Sequence, residues 1–186
     1  MCEINAEFAP LIRAALSSGA YKAAVIPSDA IVLDRSFRGM CESNVCGNYG
    51  QCWMCPPDAG DIDVLQNQLR NYRLVLVYQT VHRLKNADDR NEMLQVGTLH
   101  NRSAQKLRAA FLDAGIEDAL CFGAGGCRFC RVCAKKAGLP CRSPQKAIKA
   151  LETYGIDAAK MAASAGMEYI CERGSISYFG AVFFNA

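Results

Sequence analysis

Two stretches of this sequence concentrate the residues able to hold metal. The first is Cys127-Arg128-Phe129-Cys130-Arg131-Val132-Cys133, closed by Cys141, a Cys-x2-Cys-x2-Cys-x7-Cys spacing. Zinc takes four ligands in a tetrahedron, commonly from two separated Cys-x2-Cys pairs. Three thiols at consecutive x2 intervals suit a cubane better, because successive thiolates reach successive irons instead of crowding one ion. The spacing points to a 4Fe–4S cluster on Cys127, Cys130, Cys133 and Cys141, with zinc as the alternative. Arg128, Arg131, Lys135, Lys136 and Arg142 surround these thiols. They either stabilise an anionic cluster or form a solvated loop face.

The second stretch is Cys41-x4-Cys46-x5-Cys52-x2-Cys55, followed by Pro56-Pro57. Its spacing fits zinc and iron–sulfur equally, so the chain has thiols for one or two 4Fe–4S clusters. With Cys52 included, four thiols complete a second site. With Cys52 left out, three thiolates leave one metal position open to a small molecule, as catalytic zinc keeps its fourth position open. Tyr49 and Trp53 would then line a pocket or shield the site from water. Gly123-Ala124-Gly125-Gly126, just before Cys127, offers free backbone N–H groups to sulfur or phosphate, but its spacing is no phosphate or dinucleotide fingerprint. A strand-to-loop turn is the simpler reading. His82 and His100 lack metal-type spacing and read as hydrogen-bonded structural side chains. Cys2, Cys121 and Cys171 read as small apolar or terminal residues, with Cys121 a spare ligand at most.

These residues need a scaffold. At 186 residues, 51% apolar and 21% charged, the chain has enough to bury one core, so a single domain over 1–186 is expected. A net charge of +3 gives no case for nucleic acid. The N-terminus lacks a signal-peptide pattern and no apolar run approaches a membrane span, so a cytoplasmic protein is expected. In a reducing compartment clustered cysteines serve as ligands rather than disulfides, and the count of 11 is odd in any case.

Apolar periodicity predicts a helix over 6–18, ended by Gly19. Strands at 23–26 and 30–33 flank Pro27-Ser28-Asp29 and suggest a hairpin. Glycines and prolines make 38–58 a loop. Asp61 caps a helix running to about Asn71. Leu74-Val75-Leu76-Val77-Tyr78 reads as a central strand covered on both faces. The polar link 86–89 leads to the longest helix, 92–114, and Ala119-Leu120-Cys121-Phe122 forms a short strand. Ser143-Pro144 opens a helix to Gly155, Asp157 caps another to Gly166, and strands at 168–171 and 177–184 close the chain. The fold expected is α+β: a small mixed sheet flanked by helices, bearing two cysteine-rich metal-binding loops.

The run Cys41-Glu42-Ser43-Asn44-Val45-Cys46-Gly47-Asn48-Tyr49-Gly50, then Trp53-Met54-Cys55-Pro56-Pro57, resembles a family of uncharacterised prokaryotic predicted metal-binding proteins. Gly126 to Cys133, Pro140-Cys141-Arg142-Ser143-Pro144 and Gly155-Ile156-Asp157 extend the likeness over most of the chain. The resemblance implies metal binding through cysteines and no established reaction. It implies Cys41, Cys46 and Cys55 as the first-block positions and makes Cys52 a departure. Three functions follow as expectations: an iron–sulfur electron-transfer protein docking a redox partner through its basic loop; an enzyme with an open iron facing a small-molecule ligand; or a zinc-stabilised binding module.

Overall fold

A run of five apolar residues, Leu74 to Tyr78, sits where alternate side chains enter two different cores. Val75 and Val77 face one cluster, Leu76 and Tyr78 the other, because successive strand side chains point to opposite sheet faces. The computed structural model describes residues 2–86, 89–170, 172 and 174–186. Its sheet has five strands: β1 (Lys22–Pro27), β2 (Leu74–Arg83), β3 (Leu120–Gly123), β4 (Lys149–Ala150) and β5 (Ser175–Phe184), in the order β1-β2-β5-β3-β4. β2 pairs antiparallel with β1 and β5, and β3 antiparallel with β5, while β3 and β4 run parallel. The sheet is therefore mixed, and the α+β expectation holds.

Helices cover both faces. α1 (Cys2–Glu7), α2 (Ala9–Ser17) and α5 (Arg90–Asp113) lie on one side, where Leu11, Leu107 and Phe111 pack with Val182 and Phe184. α4 (Ile62–Leu69) and α6 (Ala158–Ser164) lie on the other, where Leu65, Leu69 and Met161 pack with Phe122 and Phe183. α3 (Ser36–Glu42) stands apart from the sheet and carries Cys41. Asp61, Asp89 and Asp157 each accept two backbone N–H bonds at the starts of α4, α5 and α6. Each such cap stabilises its helix by about 1 kcal/mol.

Several expected elements take another form. The helix over 6–18 is two helices broken at Phe8, because Pro10 has no N–H to continue the ladder and its ring crowds the preceding turn. The hairpin at 23–33 does not form. Residues 28–30 make a 3₁₀ turn, Leu33 makes one bridge to Ile156, and β1 pairs with β2 instead. The loop over 38–58 begins inside α3. The helix from Ser143 to Gly155 is absent: Ser143 makes no side-chain cap, and 149–150 joins the sheet edge beside Phe122 and Gly123. Tertiary pairing overrides a local helix-start signal there. Residues 168–170 form no strand, β5 takes β2 as its partner, and Cys171 lies outside the described residues.

The parallel pair β3 and β4 ends at the same edge. The glycine loop to Cys127 leaves from β3 there, and Glu152 follows β4. The cysteine loops are mounted on that edge.

Candidate metal centre

Asn101 of α5 shapes the loop that presents Cys127. Its amide nitrogen donates to the carbonyls of Ala124 (3.2 Å) and Gly126 (2.9 Å), and its oxygen accepts the Ala124 N–H (3.2 Å). The close fit requires glycine at 123, where a Cβ would stand 2.1 Å from the Asn101 oxygen. Gly126 adopts φ +83°, a left-handed conformation that glycine takes without steric penalty. Nothing in the spacing of the cysteines pointed to Asn101.

The first cysteine block folds onto this loop. Asn48 donates to the Gly125 carbonyl at 3.1 Å. Trp53 Nε1 donates to the Leu139 carbonyl at 2.9 Å. Lys135 pairs with Asp58 and lies 4.4 Å from the centroid of the Trp53 ring. Thr153 Oγ1 donates to the Met54 carbonyl at 3.3 Å, and Arg38 reaches the carbonyls of Thr153 and Gly60. Trp53 thus joins the two blocks, and the basic loop divides. Lys135 is half-buried in its pair with Asp58 and Arg128 is half-buried against α5, while Arg131, Lys136 and Arg142 are exposed.

The eight candidate cysteines separate into five and three. Cys52, Cys127, Cys130, Cys133 and Cys141 line one tight cavity of about 20 Å³. Cys41, Cys46 and Cys55 line a neighbouring open one of about 470 Å³, beside Tyr49. The sequence blocks therefore do not correspond to the cavities. Cys52 lines the cavity of the second block, and Cys41, Cys46 and Cys55 line the other.

A tight turn produces that separation. The Cys55 N–H donates to the Cys52 carbonyl at 2.9 Å, and the two side chains share a hydrogen bond. The Cys55 thiol donates to Cys52, as do the Met54 and Cys127 N–H groups and the Cys133 thiol; against the opposing effect of burial, these bonds draw the Cys52 pKa down to about 6. As the donor in this pair, and by burial, Cys55 is pushed up. Burial also raises Cys41 and Cys127. The thiolate is the metal-binding form, so the lowering at Cys52 favours metal binding there.

The donor chemistry fits a soft metal. No His or carboxylate lines the five-thiol cavity. An all-thiol set suits zinc or iron–sulfur rather than calcium or magnesium. Backbone N–H groups aimed at Cys52 and Cys127 are the kind of support that tunes such sulfurs. Among the described residues no three His, Cys, Asp or Glu side chains are already converged as a single ion requires.

Among the other candidates, His100, His82 and Cys121 line neither thiol cavity. His100 is fully buried, with Nδ1 2.9 Å from Thr80 Oγ1 and Nε2 3.1 Å from the Phe179 carbonyl, and burial drives its pKa down to about 3. His82 lies on β2, but its buried Nε2 has no hydrogen-bond partner among the described residues, so the hydrogen-bonded role expected for it is not found. Cys121 is in the core on β3, where burial raises its pKa to about 11. The Cys2 side chain lies outside the described residues.

A family model described as "Predicted metal-binding protein (DUF2284)" matches residues 24–184. The chain belongs to this family. Both cysteine blocks fall inside the matched stretch, so metal binding is assigned to a region that holds both cavities. No curated protein and no solved structure matches the chain. No helix among the described residues is long and apolar enough to cross a membrane.

Proposed function

We propose that this metal-binding protein carries iron–sulfur clusters and works in electron transfer in a reducing cytoplasm. The observation that carries the reading is the gathering of five thiols, and no harder ligand, around one tight cavity. Cys127, Cys130, Cys133 and Cys141 would hold a 4Fe–4S cluster, with Cys52 as a fifth sulfur available to it. Cys41, Cys46 and Cys55 would hold a second centre with one position open. Such a cluster supplies one-electron chemistry, its potential set by net charge, hydrogen bonds to sulfur and solvent exposure.

The protein's own residues support that role. N–H groups on Cys52 and Cys127 stabilise thiolate. Trp53 and Phe129 line the cavity and limit water. Arg131, Lys136 and Arg142 form an exposed cationic rim close to the thiols. That rim suits an acidic redox partner, with electrostatic attraction raising the association rate at low salt.

A second reading has one observation in its favour. The tight cavity is closer to the room one ion needs than to that of a cubane, which suits a structural zinc. Anaerobic purification separates the two. The iron–sulfur reading expects brown protein with iron and acid-labile sulfide in equal amounts and an EPR signal on reduction. Colourless protein containing zinc and no sulfide would establish the second reading and remove the first.

A further inference from the structure

The cavity in front of Cys41, Cys46 and Cys55 has features a metal site does not need. Its volume of about 470 Å³ lies in the range of small-molecule pockets, and most of its lining is apolar. Met93, Leu94 and Tyr178 form one wall, and Val45 and Pro56 stand among the lining residues of the first block. Two guanidinium groups also line it, from Arg90 and Arg128.

Both are held in place by backbone rather than by acids. Arg90 donates to the Val45 carbonyl at 2.7 Å, and Arg128 to the Leu94 carbonyl at 2.6 Å. Among the described residues neither is in an ion pair. A guanidinium has five N–H donors, so each keeps donors and a full charge for a ligand. Arg128 is seated on α5 itself: a Cβ on Gly97 would come within 2.5 Å of its Nη1. Glycine inside a helix is unfavourable by about 1 kcal/mol relative to alanine, so this position gives up helix stability and leaves room for a fixed cation.

We infer that this cavity binds a small organic carboxylate with an apolar body, its carboxylate held by Arg90 and Arg128 and its body against the Met93–Tyr178 wall. A planar guanidinium matches a carboxylate in a two-bond fork, and two fixed cations select for an anion over a neutral analogue. Glu152 also lines the cavity, half-buried beside Cys41 and in no ion pair among the described residues. Binding rests on the arginines and the cavity alone. The ligand's position next to a metal centre rests on the proposed function.

The test uses 3-phenylpropionate as the probe, against 3-phenylpropanol of matching shape. Calorimetric titration of metal-free and anaerobically prepared metal-loaded protein should show binding of the acid in both. The alcohol should bind at least about tenfold more weakly, the loss of a charge-assisted hydrogen bond. Arg128→Met and Arg90→Met should each weaken the acid about tenfold and leave the alcohol unchanged. Gly97→Ala should weaken the acid while retaining every charge, and Arg131→Met should have no effect. Arg90 is exposed and distant in sequence from the cysteines, so Arg90→Met remains decisive if Arg128→Met fails to fold. Equal affinity for acid and alcohol, an unaltered Arg90→Met, or no binding of the acid to folded protein would overturn the inference. Metal and sulfide analysis of the same samples reports separately on the metal reading: carboxylate binding to protein that takes up no metal would remove that reading alone.

Discussion

Two groups of identical ligands, joined by the hydrogen bond between Cys52 and Cys55, are built for different purposes. The five-thiol group surrounds a tight cavity, and four of its members, Cys52, Cys127, Cys130 and Cys133, also line an open one of about 550 Å³. Trp53 and Phe129 line the tight cavity, backbone N–H groups point at its sulfurs, and its volume is about 20 Å³. The three-thiol group opens onto about 470 Å³ of mostly apolar space with two arginines that are in no ion pair among the described residues. The first opening is polar and bears Arg128, Arg131 and Lys136, whereas the second is mostly apolar. Openness admits a second molecule. What sets the function of a cysteine here is the surface around its sulfur, not its place in a spacing pattern.

Both regions stand on α5, and removing what they share should affect them together. His100 fixes α5 to the sheet through Thr80 and Phe179. Its pKa in the folded state is about 3, against 6.5 ordinarily. Between those values the unfolded chain takes a proton that the folded chain refuses, so stability falls as pH drops from 6.5 toward 3. The group's contribution is worth about 4 kcal/mol over that window. Denaturant unfolding at a series of pH values should show a steep acid limb in the parent and a flatter one in His100→Gln. Parallel limbs would mean that His100 titrates normally.

Asn101 is the next largest effect. Asn101→Ala leaves the Ala124 N–H and the Ala124 and Gly126 carbonyls without this partner, at a cost of about 3 kcal/mol. Because Gly126 touches Cys55 as well as leading into Cys127, metal uptake should fall in both regions. Loss confined to one would show that the glycine loop does not support both.

Lys135→Met should act on the five-thiol region alone. It strands the Asp58 carboxylate, whose Oδ2 already lacks a partner, and removes the cation from the Trp53 ring. A loss of about 2 kcal/mol is expected for this partly exposed pair. Timed labelling of the metal-free protein should show Cys130, Cys133 and Cys141 reacting faster and Cys46 unchanged. Uniform acceleration would indicate general loosening rather than a local clamp.

Much of the scaffold was legible in the sequence because its signals are local. The aspartate caps at 61 and 157 and the long helix ending at Gly115 need only near neighbours to form. The Leu74–Tyr78 run carries its two-sided burial in its own apolar composition, even though its pairing partners are distant. The clustering of cysteines was equally plain. The separation of Cys52 from Cys55 was not, since the spacing between them gives no sign of which cavity each thiol lines. Nor were Asn101 or the Gly97–Arg128 contact, whose partners lie on distant parts of the chain. Ser143-Pro144 misled for the converse reason: a good local helix start was overridden by two residues pairing at the sheet edge. The glycine inside α5 was the one available hint of a close approach.

The claim that neighbouring cysteines serve separate centres is tested most directly by EPR of reduced, anaerobically prepared Cys133→Ser and Cys55→Ser side by side. Each variant should lose a different signal and keep the other's, and 3-phenylpropionate should perturb only the signal that Cys133→Ser retains. If both variants lose the same signal, or both retain the full spectrum, the two cavities do not hold two centres.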